Sequence, residues 1–237
     1  MLNIVVLGSC GREYAIIDKL IQDSRDDLYY PVSNIYNYPK NDALLHNYPE
    51  VSLIPINYQP LKSDHYNSFI QFCQDKMVDM VIIGPEKHLV DGIVDRLEKY
   101  NISAFGPHQL ASQLEGSKVF SKSFMDEFKL PTAPYQTFNN ITIEEAKNFI
   151  NTNWSDSKKY VLKADGLAGG KGVILPDTRE ECLTEIDNML LHHKFGIASD
   201  SIVVEERLEG TEVSIRGFCN GEDIAVMPPT QDDKKKG

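Results

Sequence analysis

The sequence predicts an α/β protein, with an N-terminal doubly wound parallel-sheet domain followed by an α+β region. Three observations carry this expectation. The chain opens with a strand, a glycine turn and a helix over residues 2–20. Strand and helix patterns then alternate to about residue 106, and beyond it several strands follow one another at short range around one long helix.

Residues 2–8 form an apolar, β-branched run that ends at Gly8, and Ser9-Cys10-Gly11 reads as a turn. Ala15, Ile16, Ile17 and Leu20 then have helical spacing. Residues 24–50 are rich in Tyr, Asn, Pro and Asp and read as loops around one weak strand near Leu28 to Val32. Val51 to Ile56 is a strand candidate, Asn67 to Lys76 a helix, and Val78 to Ile83 a buried strand ending at Gly84-Pro85-Glu86. Leu89, Val90, Ile93, Val94 and Leu97 make one helical stripe before a short strand, Ser103 to Phe105. Such alternation implies a mainly parallel sheet covered on both faces.

The second part begins with a helix from Gln109 to Lys129, broken near Gly116. Thr142 and Glu145 have the spacing of a capping box at a helix start. Strands are expected at 160–163, 172–175, 201–205, 212–218 and 223–227, with a helix from Arg179 to His192 among them. No repeat and no low-complexity stretch is found.

Composition bounds the function. The 237 residues, 41% of them hydrophobic, suffice for one large or two small cores. With 24 Lys and Arg against 35 Asp and Glu, the net charge is −11. That field repels phosphate at long range and argues against nucleic-acid or anionic-membrane partners, so any phosphate must be held by local groups. No run approaches a membrane span and no signal peptide is recognisable. Four scattered cysteines fit free thiols in a reducing cytoplasm, not a zinc site or a disulfide frame.

The strongest local signal for chemistry is 163–172, which holds Lys163, Lys171 and four glycines, including Gly169, Gly170 and Gly172. Glycines let successive backbone N–H groups turn toward one anion, and lysines add charge. A plain hairpin turn is the alternative, but the position between two strands, with a lysine closing the first, favours phosphate. The Walker A spacing is absent. A strand running into a turn at 203–214 could border a flat heterocycle, with Glu212 accepting ribose hydroxyls. On composition alone a charged, solvated hairpin is the better reading of the same residues. Gly116-Ser117-Lys118 marks a helix break whose lysine could equally be a surface charge. Near the N-terminus, Gly11, Arg12 and Glu13 lie at a helix start, a natural phosphate site. Glu86 follows a strand's C-terminal end, where open α/β sheets place ligands.

In this order the pieces resemble the ATP-grasp superfamily, and more closely its phosphoribosylamine–glycine ligase family. The similar segments are VVLGSCGREYA (5–15), 82–97, 105–125, 131–138, LKADGLAGGKGVI (162–174), VVEERLEGTEVS (203–214) and 228–237. They are collinear and span nearly the whole chain. The resemblance implies a pre-ATP-grasp domain over 1–106 and an incomplete ATP-grasp domain over 107–237. Within the latter, a small lobe would occupy about 118–190 and the start of the large lobe 191–237. It further implies ATP-dependent joining of glycine to 5-phosphoribosylamine in purine biosynthesis, through an acyl phosphate, with release of ADP and phosphate. A truncated, non-catalytic relative that retains nucleotide or partner binding is the alternative.

By the same resemblance, Lys118 and Lys163 would contact the phosphates of ATP under the 169–172 loop, with Lys171 in it. Glu205, Glu206, Arg207 and Leu208 would form the adenine hinge, and Glu212 would hold the ribose. Gly11, Arg12, Glu13 and Glu86 would hold phosphoribosylamine or glycine. Ligands for Mg²⁺ are expected beyond residue 237, and an uncovered edge would invite self-association. Three departures stand out. Tyr14 replaces a His that follows Gly-Gly-Arg-Glu, with Cys10 in place of the first Gly. A PGN-type loop is not recognisable in 32–39, and Asp233 replaces a His near the end.

Overall fold

The computed structural model describes residues 2–26, 32–39, 41–48, 53–55 and 66–231. The first sheet is built from β1 (Leu2–Leu7), β2 (Val32–Tyr38), β3 (Leu53–Pro55), β4 (Met80–Ile83) and β5 (Ser103–Phe105) in the order β3-β2-β1-β4-β5. Every pairing is parallel. The helices are α1 (Gly11–Asp26), α2 (Asp42–Asn47), α3 (Tyr66–Asp75), α4 (Glu86–Val90) and α5 (Ile93–Glu98).

The central strand explains the two layers. Val5 and Leu7 of β1 pack into one core with Phe69, Ile70, Ile93 and Leu97. Ile4 and Val6 point the other way, onto Ile17 and Ile21 of α1 and Leu44 of α2. Residues 4–7 are all buried, and each such side chain contributes about 1.5–3 kcal/mol of hydrophobic stabilisation. Strands β2 and β3 are added on one side of β1 and β4 and β5 on the other, so the C-terminal ends of β1 and β4, at Gly8 and Gly84, border the crevice where such sheets bind ligands.

Several expectations shift. Strand β2 runs over Val32–Tyr38, through a stretch expected to be mostly loop, while most of the weak strand expected at 28–32 lies outside the described residues. The single stripe of 89–97 is two helices, because Gly92 adopts φ 80° between them. Thr142 is the N-cap of its helix but makes no capping box: its hydroxyl accepts the Asn139 N–H at 2.9 Å.

The second part starts with α6 (Gln109–Gly116), tied back to the first sheet's helices by Gln109, whose N–H donates to Asp95 (2.8 Å) and whose side chain donates to the Val90 carbonyl (3.2 Å). There follow α7 (Lys118–Glu127), β6 (Tyr135–Asn139), α8 (Ile143–Asn153), β7 (Tyr160–Ala164), β8 (Val173–Ile174), α9 (Arg179–Leu190) and β9 (Ser201–Glu206). Their antiparallel sheet has the order β6-β9-β7-β8. Alternation again divides its faces. Tyr160, Leu162, Ala164, Ile202 and Val204 point into a core with α8 and α9. Val161, Lys163, Val203 and Glu205 therefore share the opposite face.

The strand expected over 212–218 is split into β10 (Val213–Ser214) and β11 (Gly217–Cys219). These pair with β13 (Thr230–Gln231) and β12 (Ile224–Val226), as one two-stranded ribbon around another. Val213, Phe218, Ile224 and Val226 are exposed on these ribbons.

Candidate functional site

The register Val161↔Glu205 makes Glu205 a diagonal neighbour of Lys163, within reach for long side chains. Lys163 Nζ lies 2.7 Å from Glu205 Oε2. Beyond Lys163 the chain leaves β7 through 165–172 and returns as β8, closed by Ala164 N–H donating to the Gly172 carbonyl (2.7 Å). Gly169 and Gly170 adopt φ 57° and 78°, left-handed values that glycine takes without strain, and open space lies where a Cβ would point. Gly172 is packed: a Cβ there would meet that of Ala168 at 2.8 Å.

The loop also positions α7. Asp165 Oδ1 accepts hydrogen bonds from Ser117 Oγ and Val119 N–H, both at 2.8 Å. Its carbonyl accepts the Lys118 N–H at 3.1 Å. A carboxylate on the first turn of a helix satisfies amides that have no partner within the helix and complements the helix dipole. The result brings Lys118 close to Lys163. Burial holds the Lys118 ammonium below the ordinary lysine range; Glu115 and Asp165 oppose the shift and Lys163 adds to it.

These groups line a cavity of about 1020 Å³. Lys118, Lys163, Gly169, Gly170 and Gly172 line it, together with Glu205, Glu206, Arg207, Leu208 and Glu212. Glu86 reaches it from the first sheet's side. The end of β9 is fixed by Glu206 N–H donating to Pro134 (2.8 Å) and Arg207 N–H donating to Lys159 (2.9 Å). Glu206 pairs with Lys158 at 3.2 Å and Arg207 with Asp177 at 3.3 Å, while Leu208 is 70% exposed. Lys171 is not among the lining residues.

Gly11, Arg12 and Glu13 also lie off this cavity. Arg12 donates to Glu86 (3.3 Å), linking the start of α1 to α4. Glu13 is 1% exposed and accepts the Cys10 N–H at 2.7 Å. It fills the space beside Gly8 and Gly84, where a Cβ on Gly84 would sit 1.9 Å from Glu13 Oε1. Tyr14 turns to α2, its hydroxyl accepting from Asn47 (2.6 Å). Asp233 lies outside the described residues.

Two residues of this arrangement escape the sequence reading. Asp165 carries only the faint signal of standing inside the glycine motif. Lys122 lies one helical turn after Lys118 and is buried, 3.1 Å from Glu205 Oε1. For metals, no group of three His, Cys, Asp or Glu among the described residues could hold an ion. Among them too, no helix is long and apolar enough to cross a membrane.

Comparison with known proteins gives this geometry a family. The chain is 40% identical over 235 residues to a phosphoribosylamine–glycine ligase of Rhodopirellula baltica, covering 98% of this chain and 50% of that protein. To the Listeria monocytogenes protein of the same name it is 38% identical over 234 residues, covering 99% and 51%. The chain thus spans about half the length of these curated relatives. The crystal structure of the Thermotoga maritima phosphoribosylamine–glycine ligase superposes with TM-score 0.72 at 26% identity, covering 96% of this chain and 49% of that one. A biotin carboxylase domain of Hydrogenobacter thermophilus 2-oxoglutarate carboxylase, in complex with MgADP, shares the fold at 15% identity, with TM-score 0.74 over 98% of this chain and 50% of that one. The family model for the phosphoribosylglycinamide synthetase N domain matches residues 2–115, and that for its ATP-grasp (A) domain matches 116–237. With both domains present in order, the chain belongs to the phosphoribosylglycinamide synthetase family.

Proposed function

We propose that this chain forms the nucleotide-gripping half of a phosphoribosylamine–glycine ligase, which joins glycine to 5-phosphoribosylamine while ATP is cleaved to ADP and phosphate. The observation that carries this reading is the convergence of Lys118, Lys163, Gly169, Gly170 and Gly172 on one cavity that the end of β9 also lines. Two ammonium groups and freed amides suit a triphosphate. Leu208 offers an apolar face to the base, beside the backbone of Glu205, Glu206 and Arg207, and Glu212 accepts ribose hydroxyls. Lys171 adds charge from the loop.

On the first sheet, Glu86 takes the amine of glycine or of phosphoribosylamine, with Gly11, Arg12 and Glu13 framing the sugar phosphate's site. Residues 1–106 form the substrate side and 107–237 the nucleotide side, with α6 as the link between them. Among the described residues there is no cluster of three carboxyl, imidazole or thiol groups that could hold an ion such as Mg²⁺, which when bound offsets phosphate charge. The free thiols suit a reducing cytoplasm.

Calorimetric titration of ATP into the 237-residue chain and its Lys163→Ala variant tests the reading. Weaker binding by the variant, by roughly tenfold for the loss of one ammonium–phosphate contact, is expected. Equal affinity refutes it. A non-catalytic relative would share this binding. ADP release that needs both glycine and phosphoribosylamine marks the ligase.

A further inference from the structure

Within the site, Lys122 has no part in the roles just assigned, yet its geometry is specific. It sits in α7 with its side chain 9% exposed, and its Nζ lies 3.1 Å from Glu205 Oε1. The same ammonium donates to Thr132 Oγ1 at 2.5 Å and stands 5.1 Å over the Tyr135 ring. Glu205, 12% exposed, is thus held on both oxygens, by Lys122 on one and by Lys163 at 2.7 Å on the other.

We infer that Lys122 is a positioning residue for Lys163, acting through Glu205 to keep the Lys163 ammonium both placed and electrostatically available to a phosphate. A carboxylate 2.7 Å from Lys163 fixes that side chain but also cancels its charge and repels an incoming anion. The second ammonium offsets that cancellation. Two lysines around one carboxylate leave a net charge of +1 on the group. Without Lys122, the pair that faces the cavity is neutral, and Glu205 is left buried with an unpaired oxygen. A buried lysine is costly to desolvate, so an apolar residue would serve packing alone as well. This inference rests on the nucleotide reading of the cavity.

The test is the affinity of the whole chain for ATP and, separately, for adenosine, which lacks the phosphates. Lys122→Met is expected to weaken ATP binding about tenfold, a loss of about 1.4 kcal/mol, and to leave adenosine binding unchanged. Lys122→Arg should retain ATP affinity. The double variant Lys122→Met/Glu205→Gln, which removes both the cation and the anion it offsets, should recover most of the loss. It also replaces the single variant if that one fails to fold. ATP affinity unaltered by Lys122→Met, an equal loss for ATP and adenosine, or a double variant as weak as Lys163→Ala overturns the inference. If Lys163→Ala weakens ATP binding while Lys122→Met does not, the inference alone fails. If Lys163→Ala changes nothing, or the parent chain binds no ATP, the nucleotide reading fails and takes this one with it.

Discussion

Asp165→Ala should uncouple the glycine loop from α7. The carboxylate accepts two hydrogen bonds at 2.8 Å, one from Ser117 Oγ and one from Val119 N–H. Hydrogen bonds to a charged group contribute about 1.5–3 kcal/mol each. A lost helix cap costs about 1 kcal/mol. The two bonds share one acceptor and Ser117 still caps Phe120 N–H at 3.0 Å, so the terms overlap. A net loss of about 2–3 kcal/mol follows. In a chain of this size that lowers the melting temperature by about 4–12 °C. Because the two lost bonds hold Ser117 and Val119 on either side of Lys118, the same change should loosen Lys118 and weaken ATP binding about tenfold. Asp165→Asn keeps an acceptor and should lose about half as much stability as Asp165→Ala. Calorimetric melting and ATP titration read both effects. A melting temperature within 1–2 °C of the parent's, on the order of the smallest shift the cap alone could give, refutes the clamp. A lowered one with unchanged ATP affinity shows that the clamp does not set Lys118.

Three further outcomes are expected. Gly84→Ala forces a Cβ to within 1.9 Å of buried Glu13 Oε1 and should cost about 1–3 kcal/mol in thermal melts, with Glu13→Ala relieving part of it; an unshifted melt shows that Glu13 moves aside freely. Burial pushes the Cys73 and Cys182 thiols from their ordinary 9.0 up to about 12, so at pH 8 the native chain should show two fast thiols, the exposed Cys10 and Cys219, and two slow ones. Their stabilising contribution is whole below pH 9 and is lost as pH rises toward 12, because the unfolded chain sheds those protons first, so melting temperature should fall above pH 9. The exposed apolar side chains Phe218, Ile224 and Val226 should drive concentration-dependent association that Ile224→Lys reduces; a monodisperse monomer at high concentration in light scattering counts against it.

Elements specified by neighbouring residues are legible in the sequence. The run 2–7 is apolar on both faces and terminates in glycine, so strand, turn and helix are legible in one short window. Strand β2 is not, because Ser33, Asn34 and Asn37 break its apolar pattern. For the two asparagines the neighbouring strand takes up the amide donors. Asn37 is buried, and its amide donates to the carbonyls of Val6 (3.2 Å) and Gly8 (2.7 Å), while Asn34 donates to Asn3 (2.9 Å). A strand whose side-chain amides donate to its neighbour looks like a loop until the neighbour is in place. The capping box failed for the same kind of reason, since Asn139 competes for the Thr142 hydroxyl. Within the site, Lys118, Lys163 and the glycines announce themselves by type and spacing. Asp165 and Lys122 do not, as their partners lie far along the chain.

Those two residues resolve a tension between charge and ligand. A chain of net charge −11 that lines its cavity with Glu86, Glu115, Glu205, Glu206 and Glu212 is a poor place for a triphosphate on charge count alone. Counting misleads because salt screens exposed charges beyond about 8 Å, whereas a held ammonium acts at contact. Around this cavity the carboxylates hold cations: Asp165 fixes the turn that presents Lys118, Glu205 sits between Lys163 and Lys122, Glu206 takes Lys158, and Glu86 takes Arg12. Each acidic group so engaged fixes the direction of a positive one instead of repelling the ligand freely. The acidic composition that argues against a nucleic-acid surface is thereby compatible with a phosphate grip, because here the negative charges are what orient the positive ones.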